Sequence, residues 1–314
     1  MARFARIAAR IAAVGSILFA SAAAAASASA PQDASPKAAG PRRPPPPEVE
    51  LPAEGTSVPM GSFGGRPTVD ARIGGAAFPF VLDTGASGCA LSDAFVDAQK
   101  IPVVGRAGFA SPDSPEPKEA RLLRIDTVEL GSARISGVTA VGMDLSGPFP
   151  GPQDPKGVLS ANIFPGLLVT IDYPGRTASL ARGELPPPDG DRVFGYAEGR
   201  RVPGLTVSLG TQSVELDVDT GSPWGITLPA EWLSKLKLDE EPREARPDRR
   251  VDRVLPAKEA RFAGPTRIGR YDLGPQSIRF VEGITRGVVG SEVLRRFAVT
   301  LDSRNRRVRL TQPG

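Results

Sequence analysis

The chain of 314 residues contains no histidine and one cysteine, Cys89. Without an imidazole, serine, cysteine or threonine nucleophiles of the usual base-assisted kind, His-ligated zinc sites and phosphohistidine chemistry are excluded. One thiol also excludes an intramolecular disulfide framework, a C-x-x-C pair and the common structural zinc sites, so stability must come from a buried core. Any enzyme here runs on carboxylates, Lys, Tyr or a borrowed cofactor. Strong net charge is missing as well: of the formal +4, Arg3, Arg6 and Arg10 sit in a first stretch with no acidic residue, leaving 36 basic against 35 acidic side chains. No basic face remains to attract a nucleic acid. Past residue 30 no apolar run is long enough to span a bilayer.

What is present begins with an export grammar over residues 1–30: an Arg-bearing start, an apolar stretch from Ile11 to about Ala26, and small residues ending at Ala28-Ser29-Ala30. The stretch is rich in Ala and Ser and reads as a cleaved signal, not an anchor. The expectation is an exported protein, periplasmic or secreted, with no stable membrane span after cleavage. Residues 31–60 hold nine prolines, among them Pro44 to Pro47; this composition favours extended polyproline geometry and reads as a linker.

From Gly61 onward, short alternating segments broken by Gly and Pro indicate an all-β protein, with short helix candidates only at Ser92–Gln99 and Ala230–Lys237. The pattern occurs twice. Phe78, Phe80 and Leu82 lead to Asp83-Thr84-Gly85, and Val214, Leu216 and Val218 lead at the same spacing to Asp219-Thr220-Gly221. Lys118-Glu119-Ala120-Arg121 recurs as Lys258-Glu259-Ala260-Arg261, and Val169-Thr170-Ile171-Asp172 as Val299-Thr300-Leu301-Asp302. Two similar lobes follow as the expectation, 61–188 and 189–314, parted near Pro186-Pro187-Pro188.

In each copy three apolar side chains share one strand face and an Asp stands where the strand must turn. The following Gly permits backbone geometry that other residues resist. A carboxylate is thus carried on the rim of a rigid sheet. Asp and Gly are common turn residues, so the weight rests on the duplication.

The segments Phe80-Val81-Leu82-Asp83-Thr84-Gly85-Ala86-Ser87 and Val218-Asp219-Thr220-Gly221-Ser222-Pro223 resemble the two active-site loops of the pepsin and retropepsin superfamily of aspartic proteases. Val158-Leu159-Ser160 and Val288-Val289-Gly290 resemble that family's loop-bracing element. The resemblance covers roughly residues 61–314. It implies two β-barrel-like lobes with a cleft between them, Asp83 and Asp219 as the catalytic pair, and Thr84 and Thr220 locking the loops together. It implies a peptide or protein substrate, no metal, no cofactor and a monomer, because both motifs lie in one chain.

The chemistry is consistent with that likeness. At about 4 Å and an effective dielectric near 20, two carboxylates repel by about 4 kcal/mol, or roughly three pKa units, so they share one proton. One then serves as base toward water and the other as acid toward the carbonyl. Ala86 lacks the hydroxyl that Ser222 carries, which predicts Asp83 as the less acidic partner and activity reaching toward neutral pH. Ser160 replaces the usual Gly. No Tyr lies between Asp83 and Asp172, where pepsin-like enzymes carry a flap tyrosine; Lys118 to Asp126 is the candidate for a retroviral-type flap.

Rival functions remain. Asp217-Val218-Asp219-Thr220 resembles a haloacid-dehalogenase-type nucleophile loop, but that fold needs long helices. A metal site on the two aspartates lacks a visible third ligand. The stronger rival is a catalytically weak or silent peptide-binding protein on the same fold. Cys89 reads as a small buried side chain, Trp224 as a pocket or core residue, Tyr271 as a strand residue of cleft or core, and Leu238–Arg253 as a solvated insertion.

Overall fold

The structure, a computed structural model, describes residues 45–313 except 112, 115, 117 and 148–154. Residues 1–30, read as a signal, and 31–44 of the linker lie outside the described residues. The first half of the chain forms β1 (Glu48–Glu50), β2 (Thr56–Phe63), β3 (Arg66–Ile73), β4 (Ala76–Asp83), β5 (Cys89–Ser92), β6 (Val103–Phe109), β7 (Lys118–Leu130), β8 (Ala133–Met143), β9 (Gly157–Ser160), β10 (Leu168–Asp172) and β11 (Thr177–Ala181). The second half forms β12 (Val193–Gly195), β13 (Gly204–Leu209), β14 (Gln212–Asp219), β15 (Ile226–Pro229), β16 (Arg243–Glu244), β17 (Asp248–Arg249), β18 (Val254–Leu255), β19 (Ala257–Phe262), β20 (Thr266–Ile268), β21 (Tyr271–Asp272), β22 (Gln276–Val281), β23 (Val288–Gly290), β24 (Ala298–Asp302) and β25 (Arg307–Thr311). The protein is all-β, as its alternating pattern requires.

Burial explains where each strand sits. In β4, Phe80 and Leu82 enter the main core while Val81 enters a smaller apolar cluster on the other face, so β4 is a central strand between β3 and β9. The order β3-β4-β9-β5-β8-β7 closes into a six-stranded barrel through Arg72↔Glu129 and Ile73↔Val128.

The second half repeats this order as β13-β14-β23-β15-β22-β19, with one change. The long β7–β8 hairpin is there broken into β19 plus β20 and β21 plus β22, at Gly264-Pro265 and Gly274-Pro275. Proline lacks the N–H a ladder needs and ends each strand. The hairpin end survives, since Ile268↔Tyr271 matches Leu130↔Ala133, and Leu209↔Thr266 closes on β13 as Ile73↔Val128 closes on β3.

A further sheet, β12-β25-β24-β10-β11-β2, joins the halves. Its middle pair is the repeated tetrapeptide facing its own copy: Val169↔Leu301, Thr170↔Thr300 and Ile171↔Val299 run antiparallel, with the two threonine hydroxyls 3.0 Å apart.

Two expectations are corrected. The linker reading of 31–60 fails from Glu48 onward: β1 pairs with β8 and β2 with β3 and β11. Leu51, Val58 and Met60 are buried there, so apolar alternation outweighs the prolines around it. Of the helix candidates, α1 (Asp93–Gln99) forms, because the Ser92 hydroxyl accepts the Phe95 N–H at 3.3 Å. Ala230–Lys237 gives only a 3-10 turn over Ala230–Ser234, because Pro229 at its N-cap offers no side-chain acceptor. A short α2 (Ser291–Leu294) was not foreseen. Among the described residues no helix is long and apolar enough to cross a membrane.

Candidate active site

Asp83 ends β4 and Asp219 ends β14. Each strand is braced by a parallel neighbour in the same register: Val81, Leu82 and Asp83 lie against Val158, Leu159 and Ser160, while Asp217, Val218 and Asp219 lie against Val288, Val289 and Gly290. The two turns meet. A Cβ on Gly85 would fall 2.4 Å from the Asp219 carboxyl carbon, and one on Gly221 would collide equally with Asp83. Glycine stands at both positions because the opposite carboxyl occupies the space.

Thr84 and Thr220 cross-link the turns symmetrically. Thr84 N–H donates to Thr220 Oγ1 and Thr220 N–H to Thr84 Oγ1, both at 3.1 Å. The Thr84 hydroxyl donates to Val218 O at 2.6 Å and that of Thr220 to Leu82 O at 2.7 Å. Both threonines are buried.

The carboxyls are joined by a side-chain hydrogen bond, and burial pushes both pKa values up. Asp219 is pushed further, because the Asp83 charge adds to its burial. Asp83 Oδ1 accepts two backbone N–H groups, from Gly85 at 2.7 Å and Ala86 at 3.1 Å. Ser222 reaches Asp219 Oδ1 through its backbone N–H at 3.0 Å rather than through its hydroxyl. Asp83 thus accepts two backbone N–H groups and Asp219 one, and the two carboxyls titrate as a pair. Ser87 is exposed at the cleft edge.

The bracing elements are not interchangeable. The Ser160 hydroxyl donates to Ala86 O at 2.6 Å and accepts the Asn162 N–H at 3.1 Å, so it ties the first loop down. At Gly290 a Cβ would meet Trp224 O at 2.4 Å and Ser222 O at 2.8 Å. There the next residue does the work: Ser291 Oγ donates to Thr220 O at 2.9 Å and pairs with the Tyr173 hydroxyl at 2.8 Å.

The aspartates open into a cleft of about 1220 Å3. A hairpin of β6 and β7 covers one side; Lys118–Asp126 is its returning strand, and Phe109 lines the cleft near its tip. The second half supplies a counterpart. Arg243↔Glu259 and Glu244↔Lys258 repeat the register of Gly108↔Glu119 and Phe109↔Lys118, so the Lys-Glu repeat marks the same place on the returning strand of two flaps. The reading of Leu238–Arg253 as a solvated insertion is corrected: Arg246 to Val251 line the cleft. Its mixed charges resemble a solvated face, which hid the role.

The flap tips touch. Ser111 donates its N–H to Asp252 Oδ2 at 3.1 Å and its hydroxyl to Asp252 Oδ1. Thr285 donates its N–H and hydroxyl to Asp113 at 2.9 and 2.6 Å. Below them Arg66 Nε donates to Gly221 O at 2.6 Å, and its charge faces both aspartates. Arg66, Ser111 and Asp252 were not foreseen; only the position of Arg66 just past a Gly-Gly turn could have flagged it.

Of the remaining residues, Trp224 lines the cleft with the Arg279 guanidinium 4.0 Å over its ring. Tyr271 is buried, its hydroxyl donating to Leu310 O at 2.8 Å, away from the cleft. Cys89 is buried and its thiol pushed up to about 12 by desolvation. Among the described residues no three His, Cys, Asp or Glu side chains gather as a metal site.

Residues 69–163, from β3 through the first Asp-Thr-Gly loop and its brace, match a family model described as aspartyl protease. None of the curated proteins compared matches the chain.

Proposed function

We propose that this aspartic protease-like chain, matched to the family over residues 69–163, is an endopeptidase in which Asp83 and Asp219 share one proton and activate water. The observation that carries the reading is the pair of carboxyls at equivalent strand ends, held together by reciprocal Thr84 and Thr220 hydrogen bonds and both raised in pKa by burial. Asp219, raised further, holds the proton and acts as the acid. Asp83, ionised and steadied by Gly85 and Ala86 N–H groups, takes a proton from the attacking water. Asp219 then donates toward the oxygen of the carbonyl as charge develops on it. The scissile bond breaks as the leaving nitrogen takes up a proton. Arg66 limits how high the pair's pKa values rise, since a nearby cation favours ionisation.

The two halves are proposed as two lobes, divided near Pro186–Pro188, each giving one aspartate and one flap. The chain is proposed to act as an exported monomer, on the strength of its first thirty residues and of both motifs lying in one chain. A silent peptide binder is the second reading; the flap tips, joined through Ser111 and Asp252 and without the pepsin-type tyrosine, favour it.

The test is cleavage of a peptide library from acid to neutral pH by the protein without residues 1–30, beside Asp83→Asn and Asp219→Asn. Loss of cleavage in both variants is expected, with activity persisting above about pH 4 because the raised Asp219 keeps its proton past the ordinary carboxylate range. Cleavage surviving either substitution, or confined below about pH 4, defeats the shared-proton mechanism. Binding without cleavage by any form supports the silent binder.

A further inference from the structure

The two halves are built alike, so positions that match across the repeat should line matching pockets on either side of the aspartates. They do not carry matching chemistry. On β4, two residues before Asp83, stands Val81; two before Asp219 on β14 stands Asp217. Val158 of β9 faces Ala90, whereas its counterpart Val288 of β23 faces Thr227.

The first wall is built on an apolar cluster. Ala90, Phe109, Met143, Leu145 and Val158 line the cleft and pack in one cluster over Val81. The second wall carries Asp217, Thr227, Arg286 and Val288. Arg200 and Arg286 both bind the half-buried Asp217, the latter at 3.0 Å, and Arg200 also pairs with Glu215. Arg286 remains 46% exposed at its side chain. Thr227 is only 4% exposed, and its hydroxyl has no hydrogen-bond partner. A buried hydroxyl left unpaired costs about 1–3 kcal/mol, a penalty that an apolar residue of the same shape would avoid. Val fits that shape, and the first wall uses apolar residues at the matching place.

We infer that the cleft is a two-sided sorter: one side of the scissile bond must present an apolar side chain to the first wall, and the other a side chain with a carboxylate, Glu or Asp, to Thr227 and Arg286. The orphan hydroxyl donates to the carboxylate and the outward face of the Arg286 guanidinium supplies the opposite charge. Asp217 and Glu215 are balanced by the two arginines that hold them, so no excess negative charge faces the ligand, and the exposed side of Arg286 attracts it. The inference rests on the cleft accepting peptides, and deepens that reading by naming the side-chain class.

The test uses peptides with Leu on one side of the scissile position and Glu, Gln, Leu or Lys on the other, made in both orders. Binding to Asp83→Asn is followed by fluorescence anisotropy, and cleavage by the unmodified protein is followed in parallel. In one order Glu should bind about tenfold more tightly than Leu, with Gln between them, and in the reverse order more weakly than Leu. Thr227→Val, introduced beside Asp83→Asn, should fold at least as stably as its parent and cut the Glu preference to about threefold or less, leaving the all-Leu peptide unchanged. Arg286→Gln should act the same way on Glu, while sparing Gln. Lys preferred over Glu, equal ranking in both orders, or no peptide bound at all overturns the inference. Failure of cleavage with this binding order intact counts against the peptidase reading alone.

Discussion

Asp252 is the natural place to test whether the flaps are latched. It accepts the Ser111 N–H at 3.1 Å and the Ser111 hydroxyl, from a site where it is only 9% exposed. Asp252→Asn keeps the shape but puts an amide NH2 where one acceptor oxygen stood, so one bond is lost, two donors face each other and the charge assistance of the other bond goes. Charge-assisted bonds are worth about 1.5–3 kcal/mol and neutral ones about 1, which sets the loss near 2 kcal/mol. Tip separation should then become about 30-fold more frequent. Asp113 and Thr285 still hold the neighbouring contact, so the flap loosens without unfolding. Amide hydrogen exchange at Ser111 reads this directly, because that N–H is the donor. Burial opposes ionisation of both Asp252 and Asp113, but the Ser111 and Thr285 hydrogen bonds outweigh it and leave both below the ordinary carboxylate range. The latch is therefore fully present above about pH 4 and lost as pH falls through the depressed values, so protection of the Ser111 N–H in the parent protein, relative to a free amide at the same pH, should fall in acid. Unchanged Ser111 exchange in Asp252→Asn at neutral pH, or protection in the parent that does not fall in acid, refutes the latch.

Three further outcomes follow from the same contacts. Thr84→Val removes an acceptor from the Thr220 N–H and a donor from Val218 O. It should lower unfolding free energy in urea by about 2–4 kcal/mol, while Thr84→Ser costs about 1 kcal/mol or less; equal losses for the two would show that the hydroxyl is not what matters. Gly290→Ala must displace Trp224 O and Ser222 O and should abolish activity or folding, whereas Ser160→Gly should fold and lose about tenfold in kcat by freeing Ala86 O. Cys89, buried with its thiol raised to about 12, should resist an aromatic disulfide reagent at pH 8 until denaturant is added; rapid labelling of the native protein refutes that burial.

The paired loops were legible because duplication left the same spacing twice, and because strand alternation leading to Asp-Thr-Gly is local in sequence. Other features depended on what the strands meet in space. The second flap shares only the Lys-Glu pair of its returning strand with the first, and the rest of Leu238–Arg253 is charged enough to pass for solvent-facing loop. The backbone N–H groups that hold the two carboxyls carry no side-chain signature. Arg66 opens the strand before the first motif, a hairpin away from Asp83, and meets Gly221 of the second motif only across the fold. At the other end, apolar Val49, Leu51, Val58 and Met60 overrode a proline-rich composition that by itself signals a linker.

The antiparallel pairing of Val169–Asp172 with Val299–Asp302 bears on how the molecule holds together. Thr170 meets Thr300 and Thr84 meets Thr220 through the same position of each repeat, the kind of self-matching contact that dimer subunits make. The peptide link at Pro186–Pro188 then serves as a tether that fixes stoichiometry and raises effective concentration, while the sheet itself supplies the association. Cut there and coexpressed, the two fragments should find each other and rebuild the same active pair, and neither should be soluble alone with the edge of β10 or β24 bare.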